Sequence, residues 1–177
     1  MMLPIDPAMT TADPLDSAFD MVADVNTRLL VLGSLPGRQS LEAQRYYANP
    51  RNQFWRLMSP AAGIDLVLLD YPQRLASLLA AGIGLWDVIA TARRRGSLDS
   101  AIQDVSANNL ASAIASLPQL RALAFNGGTA YRIGTRQLGS VSGLALIPLP
   151  SSSSAHAVGI DAKAAVWQGL VAYRSPC

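Results

Sequence analysis

Leu29-Leu30-Val31-Leu32, closed by Gly33, carries no polar residue at either alternating position. Side chains along a strand point to opposite sides in turn, so a strand of this sequence has to be covered on both. That is the condition of a parallel sheet held between helices, not of a hairpin with one face in water. Runs of similar character end at Trp86-Asp87-Val88-Ile89, at Leu123-Ala124-Phe125 and at residues 144–149. Between them the apolar spacing turns helical. Pro72, in a first-turn position, precedes Leu75, Leu78 and Leu79 before Gly82 stops the pattern, and Asn108 or Asn109 can cap a stripe of Leu110, Ala113, Ile114 and Leu117. A last helix opens at Asp161 and sets Ala164, Trp167, Leu170 and Val171 on one side. This alternation predicts a single three-layer α/β domain, a small parallel sheet of about four strands flanked by helices, with its ligand crevice at the strands' carboxyl ends.

The chain has 177 residues, the size of one domain. Residues 1–26 mix Pro, Thr, Asp and Met without a period and read as a mobile acidic leader, ending in a short helix over residues 15–25, ahead of a folded domain at 27–177. Apolar runs break well before the ~18 residues that a membrane-spanning helix needs. The one cysteine is Cys177 and the one histidine is His156, which excludes internal disulfides, iron-sulfur clusters and multi-His metal sites. Neither a metal nor a cofactor is expected. Residues 1–27 contain no Lys or Arg, so the basic start of a secretory signal is missing and a cytoplasmic location is expected.

Charge is unevenly spread. Asp6, Asp13, Asp16, Asp20 and Asp24 precede the first cation, Arg28, and residues 28–177 then hold 14 positive and 7 negative side chains. All the cations but Lys163 are Arg, which suits bidentate phosphate contacts. A basic body behind an acidic leader fits a polyanionic partner and equally a plain solvated surface.

The first, third and fourth strand ends are followed by polar or Gly-rich turns: Gly33-Ser34-Leu35-Pro36-Gly37, then Asn126-Gly127-Gly128, then Pro150 with Ser151, Ser152, Ser153 and Ser154. Their common position at one rim favours a site there. The densest segment is Tyr46-Tyr47-Ala48-Asn49-Pro50-Arg51-Asn52-Gln53-Phe54-Trp55, with four of the eleven aromatic residues. Aromatic faces beside amides and Arg suit a flipped-out nucleobase, whereas Asn52 as an N-cap and Phe54, Trp55 and Met58 as core is the structural alternative.

The order of these segments resembles the hypoxanthine-DNA (deoxyinosine) glycosylase branch of the uracil-DNA glycosylase superfamily. The turn from Gly33, Ser40-Leu41, the Tyr46–Trp55 block, Gly84-Leu85-Trp86-Asp87-Val88-Ile89, Phe125-Asn126-Gly127-Gly128-Thr129-Ala130 and Leu149 through Ala157 match in the family's order, over about residues 28–174. The resemblance implies the superfamily's α/β fold and a monomeric, monofunctional enzyme that hydrolyses the N-glycosidic bond of a deaminated base in DNA, with hypoxanthine favoured and uracil the alternative. The polar residue that positions water in the superfamily's first motif is replaced by Leu35, and the resemblance moves that role to Asn52. It gives base stacking to Phe54, edge reading to Asn126 with Gly33 and Ser34 beside it, and minor-groove and phosphate contact to Pro150, Ser151, Ser152 and Ser153. Arg51, Arg93 and Arg94 join the DNA contacts as cations of the adjoining loops. Asn49 stands where His is more frequent, and Ser-Ser-Ala-His at residues 153–156 replaces Ser-Pro-Ala-Asn.

An Asn amide can orient water but cannot take its proton effectively, which predicts slower chemistry than a carboxylate would give. Lys163 lies in the last helix, away from the rim, so strand cleavage through a Schiff base is not expected. A hydrolase using one of Ser151–Ser154 with His156, and a non-catalytic nucleic-acid binder on the same fold, are the competing readings. Release of a free base separates all three.

Overall fold

The computed structural model describes residues 13–176. In chain order the elements are β1 (Leu15–Ser17), β2 (Leu29–Gly33), α1 (Arg38–Ala43), α2 (Phe54–Ala62), α3 (Tyr71–Ala80), β3 (Ile83–Asp87), β4 (Ile89–Arg94), β5 (Ile102–Ala107), α4 (Leu110–Ser116), β6 (Ala122–Asn126), α5 (Gly128–Leu138), β7 (Ala145–Leu149) and α6 (Ile160–Trp167), with short 3-10 turns at Leu66–Leu68, Asp99–Ala101 and Gln168–Tyr173.

Strands β3, β2, β6 and β7 form, in that order, an all-parallel sheet of four. Leu29 and Val31 of β2 enter one core with Phe54, Trp55, Met58, Trp167 and Leu170, while Leu30 and Leu32 enter a second core with Val88, Leu110, Phe125 and Ala130. Helices α2, α3 and α6 thus cover one face, and α4 and α5 lie on the other side. The helices predicted at Pro72 and at Asn108 or Asn109 both form, as α3 and α4, and Asn109 rather than Asn108 is the cap of the second. Asp70 and Gln73 make a reciprocal capping box around Pro72 at the start of α3, and Asn109 accepts the Ser112 N–H at 3.0 Å to open α4. Asn108 instead donates its amide to the carbonyls of Asp87 (2.8 Å) and Ile89 (3.3 Å), bracing the end of β3.

Two expectations are corrected. The run ending at Ile89 is not one strand: β3 stops at Asp87, Val88 and Ile89 donate to the carbonyls of Gly33 and Ser34, and Ile89 starts β4 of a second, antiparallel sheet ordered β1-β4-β5. Residues 15–25 form no helix. Leu15–Ser17 pair with Thr91–Arg93 of β4, and Val22 exchanges backbone bonds of 2.9 and 2.8 Å with Leu85, which covers the outer edge of β3. Gly84 permits that approach, since a Cβ there would stand 2.8 Å from the Val22 carbonyl. Residues 13–26 therefore pack on the body, and the rest of the expected leader, 1–12, lies outside the described residues. Among the described residues no helix is long and apolar enough to cross a membrane.

Candidate active site

The register of the parallel sheet puts Gly33 beside Asp87, and Asn126 beside Leu149, at the carboxyl ends of the strands. A cavity of about 500 Å³ opens there, walled by the turn after β2, the segment before α2, the turn after β4 and the serine loop after β7. This is the crevice that a parallel sheet leaves where successive connections diverge.

The aromatic segment supplies one wall. Tyr47 has φ 52°, a left-handed conformation rare for a bulky residue, and the turn is held by Trp55 Nε1 donating to the Tyr47 carbonyl (3.2 Å) and Ala48 N donating to Ser40 Oγ (3.1 Å). The Tyr47 ring lies parallel to Phe54, with centroids 3.7 Å apart and 6° between planes. Phe54 is fully buried, packed edge-on by Trp55 and Trp167, and does not reach the cavity, whereas Tyr47 lines it. The assignment of base stacking to Phe54 is therefore corrected. Phe54 begins α2 and points into the core with Leu57 and Met58, while Tyr47, outside the helix, is the ring offered to a ligand and Phe54 is its backing.

Asn49 and Asn52 both line the cavity, and each folds its Oδ1 onto a backbone N–H two residues on, that of Arg51 at 2.9 Å and that of Phe54 at 3.0 Å. The N-cap of α2 is Gln53 rather than Asn52, but Asn52, one residue earlier, satisfies the first helical N–H and still keeps a second lone pair on that oxygen. Asn126 is 8% exposed and knitted to the serine loop: its Oδ1 accepts the Ser152 N–H (2.8 Å), and its Nδ2 donates to Ser152 Oγ (2.8 Å) and to the Tyr47 hydroxyl (3.1 Å). Both amide hydrogens are engaged. Ser151, Ser152 and Ser153 line the cavity and Pro150 lies behind them, its carbonyl accepting from Trp167 Nε1 at 3.0 Å. The loop is fixed from below as well. Buried Lys163 donates to Gln53 Oε1 (2.9 Å) and the Ser153 carbonyl (3.0 Å), and burial lowers its pKa.

Two carboxyls that sequence reasoning did not single out face the same space. Asp87 is 3% exposed, and its Oδ1 lies 2.7 Å from where a Gly33 side chain would begin, so bare Gly33 makes its room. Burial first, and then the neighbouring Asp99 charge, push the Asp87 pKa up to about 7 against the opposing pull of Arg94. Asp99 accepts from Ser34 Oγ at 2.7 Å and is likewise raised, chiefly by burial. Tyr47 is raised by burial and by Asp87. The available signal for Asp87 was a carboxylate breaking an apolar strand at its carboxyl end, the position from which parallel sheets present their chemistry.

The arginines divide differently from the expectation. Arg94 is fully buried in β4, paired with Asp16 at 3.3 Å and donating to the Pro36 carbonyl, so it cannot reach DNA and is a strut between β1 and the Gly33–Gly37 turn. Arg93 donates to the Asp13 carbonyl (2.9 Å) and stands 3.8 Å from Asp104, away from the cavity. Arg51 is exposed beside Asn52 but outside the cavity wall, and the arginine that lines it is Arg38.

A model of the uracil DNA glycosylase superfamily matches residues 19–171. Two proteins named hypoxanthine DNA glycosylase are each 41% identical. That of Methanosarcina acetivorans aligns over 140 residues, 78% of this chain and 86% of the relative, and that of Methanosarcina barkeri over 109 residues, 62% and 69%. A solution NMR structure of a Methanosarcina acetivorans protein, described as a candidate uracil DNA glycosylase, superposes with a TM-score of 0.78 at 37% identity, covering 89% of this chain and 97% of its own. With the sheet, the strand-end cavity and these similarities in agreement, the chain belongs to the uracil-DNA glycosylase superfamily.

Proposed function

We propose that the protein is a monofunctional DNA glycosylase of base excision repair that removes hypoxanthine from deoxyinosine, and uracil as a secondary substrate. The observation that carries this reading is the Tyr47 ring, backed by Phe54 and facing a strand-end cavity of about 500 Å³ beside Asn126 and Asp87, because a flipped base needs a stacking face and polar partners for its edge. Both bases present a carbonyl next to a ring N–H, and the relatives' names point to hypoxanthine. Bond cleavage leaves an oxocarbenium-like sugar and a departing base that gathers negative charge, so the work of the site is to stabilise that charge and hold water near C1′.

Asn52, whose Oδ1 keeps a free lone pair beside the Phe54 N–H, orients that water. The serine loop, with Ser151, Ser152 and Ser153 held by Asn126 and Lys163, takes the phosphates and the minor groove, while Arg51 and Arg38 add charge at the mouth. The same proposal has the enzyme act as a cytoplasmic monomer without metal or cofactor, checked by light scattering and by activity in a chelator.

The test is a panel of oligonucleotides carrying one deoxyinosine or one deoxyuridine, single-stranded and opposite each base, read by alkaline cleavage at abasic sites. Cleavage dependent on the modified base, strongest with deoxyinosine, is the expected result. No cleavage of either substrate by folded protein overturns the proposal.

A further inference from the structure

Among the described residues, the buried side-chain atoms left without a hydrogen-bond partner are Arg28 Nε, Arg94 Nε and Nη1, and Asp87 Oδ2; of these only the Asp87 oxygen belongs to a residue lining the strand-end cavity. An unmatched buried carboxyl oxygen is costly unless a ligand completes it. Its surroundings say which kind. Asp87 Oδ1 and the Tyr47 hydroxyl lie 2.7 and 3.3 Å from the same point above Gly33, so carboxyl and phenol meet at the inner end of the cavity. Asn126, the other polar group there, already has both hydrogens committed to Ser152 and Tyr47. A base stacked on Tyr47 with its edge turned inward finds Asp87 as the uncommitted partner.

Resting on the glycosylase reading above, we propose that Asp87 is a catalytic residue whose carboxyl group donates a hydrogen bond to the carbonyl oxygen of the flipped base, O6 of hypoxanthine or O4 of uracil. Charge collects on that oxygen as the bond to C1′ breaks, so the contact is stronger in the transition state than in the bound substrate. The electron pair of the broken bond stays on the base, water oxygen bonds to C1′, the water proton passes to solvent, and the released base takes its proton from solvent. Asp87 keeps its own proton throughout.

Donation requires a neutral carboxyl. The charged and titratable groups around Asp87 are Asp99 from the turn after β4, Arg94 of β4, and Tyr46 and Tyr47 from the segment before α2. Burial and Asp99 hold the proton on, and Arg94, itself tied to Asp16, opposes them. The result is a carboxyl with a pKa of about 7, protonated below neutrality and lost as a donor as pH rises. An ionised Asp87 would instead repel the charge growing on the base.

Single-turnover excision from a duplex holding one deoxyinosine, measured from about pH 5.5 to about pH 8 for wild type, Asp87→Asn and Asp87→Ala, tests this. The wild-type rate is expected to fall by about tenfold per pH unit above about 7, the slope of a single ionisation. Asp87→Asn, an amide that donates at every pH, is expected to keep at least about a tenth of the wild-type plateau and to lose that descending limb. Asp87→Ala is expected to lose about 100-fold or more at every pH, with the melting curve intact and DNA affinity within about threefold. Asp87→Ala within about threefold of wild type, or a descending limb unchanged in Asp87→Asn, overturns the proposal, and the Asn profile decides alone if the Ala variant does not fold. Wild-type protein inactive on both inosine and uracil would instead sink the glycosylase reading, and this assignment with it.

Discussion

Tyr47 and Phe54 stack 3.7 Å apart, yet they should respond in opposite ways to truncation. Phe54 is fully buried with Trp55, Met58 and Trp167 around it, so Phe54→Ala opens a cavity in the core and should cost about 3–5 kcal/mol of stability. Tyr47 is only partly buried, and its truncation removes the surface on which a base would lie. Base–aromatic stacking is worth about 1–3 kcal/mol, so Tyr47→Ala should slow excision, at subsaturating enzyme, by about 5-fold to about 150-fold. Its melting temperature should fall much less than that of Phe54→Ala, because loss of the ring is partly offset by relief of the left-handed backbone at φ 52°, which alanine tolerates somewhat better than a bulky residue. Tyr47→Phe keeps the stack and drops only the hydrogen bond from Asn126, about 1 kcal/mol, so it should stay within about tenfold of wild type. Single-turnover excision of hypoxanthine beside thermal melting of each variant gives the two readouts. Normal excision by folded Tyr47→Ala, or a marked activity loss in Phe54→Leu without loss of stability, would refute the assignment of the stacking face to Tyr47.

Asn52→Ala should lose about 1 kcal/mol of stability with the Phe54 N–H cap, and should also lose most turnover; full turnover in the folded variant would leave Asn52 a cap and nothing more. Arg94→Met leaves the buried Asp16 carboxylate with only the partly exposed Arg38 guanidinium, 4.0 Å away, and should destabilise by about 3 kcal/mol, whereas Asp16→Leu combined with Arg94→Met should recover much of that, with the salt dependence of DNA binding unchanged in the folded double variant. Stability should also report Asp87. Its folded pKa is raised from 3.8 to about 7, so the native state binds more protons than the unfolded chain in that window, and stability attributable to this group declines as pH rises through it, by up to about 1.4 kcal/mol per unit. Denaturant titrations across the window should show that slope in wild type and a shallower one in Asp87→Asn.

The parallel sheet was legible because β2, β6 and β7 read as apolar runs whose two faces both need cover, and the crevice followed from their direction. The second sheet was not. β5 is almost wholly exposed and β4 is rich in Arg, and what makes them strands is pairing with each other and with Leu15–Ser17 from the far end of the chain. Once β4 is known to be a strand, its period of two places Arg94 inward between the partly exposed Arg93 and the exposed Arg95, so an apparently uniform basic run splits into one strut and two surface groups. The aromatic segment pointed to the right wall of the site but not to the right ring, since the left-handed turn at Tyr47 has no marker in a sequence that uses Tyr where Gly would announce it. Asp87 was visible only as a member of a matching motif. Its importance comes from burial, from the bare Gly33 beside it and from the commitment of Asn126 elsewhere, all of them properties of the assembled strand ends.

A monofunctional glycosylase breaks the base–sugar bond by hydrolysis and leaves the DNA backbone whole. Incubating the purified protein with a duplex containing one deoxyinosine, and analysing both products by mass spectrometry, tests it directly. Free hypoxanthine is expected in equal amount to a full-length strand with one abasic site, a strand that breaks only on treatment with alkali. Hypoxanthine left in the strand, or release accompanied by a cut backbone before alkali, would contradict it.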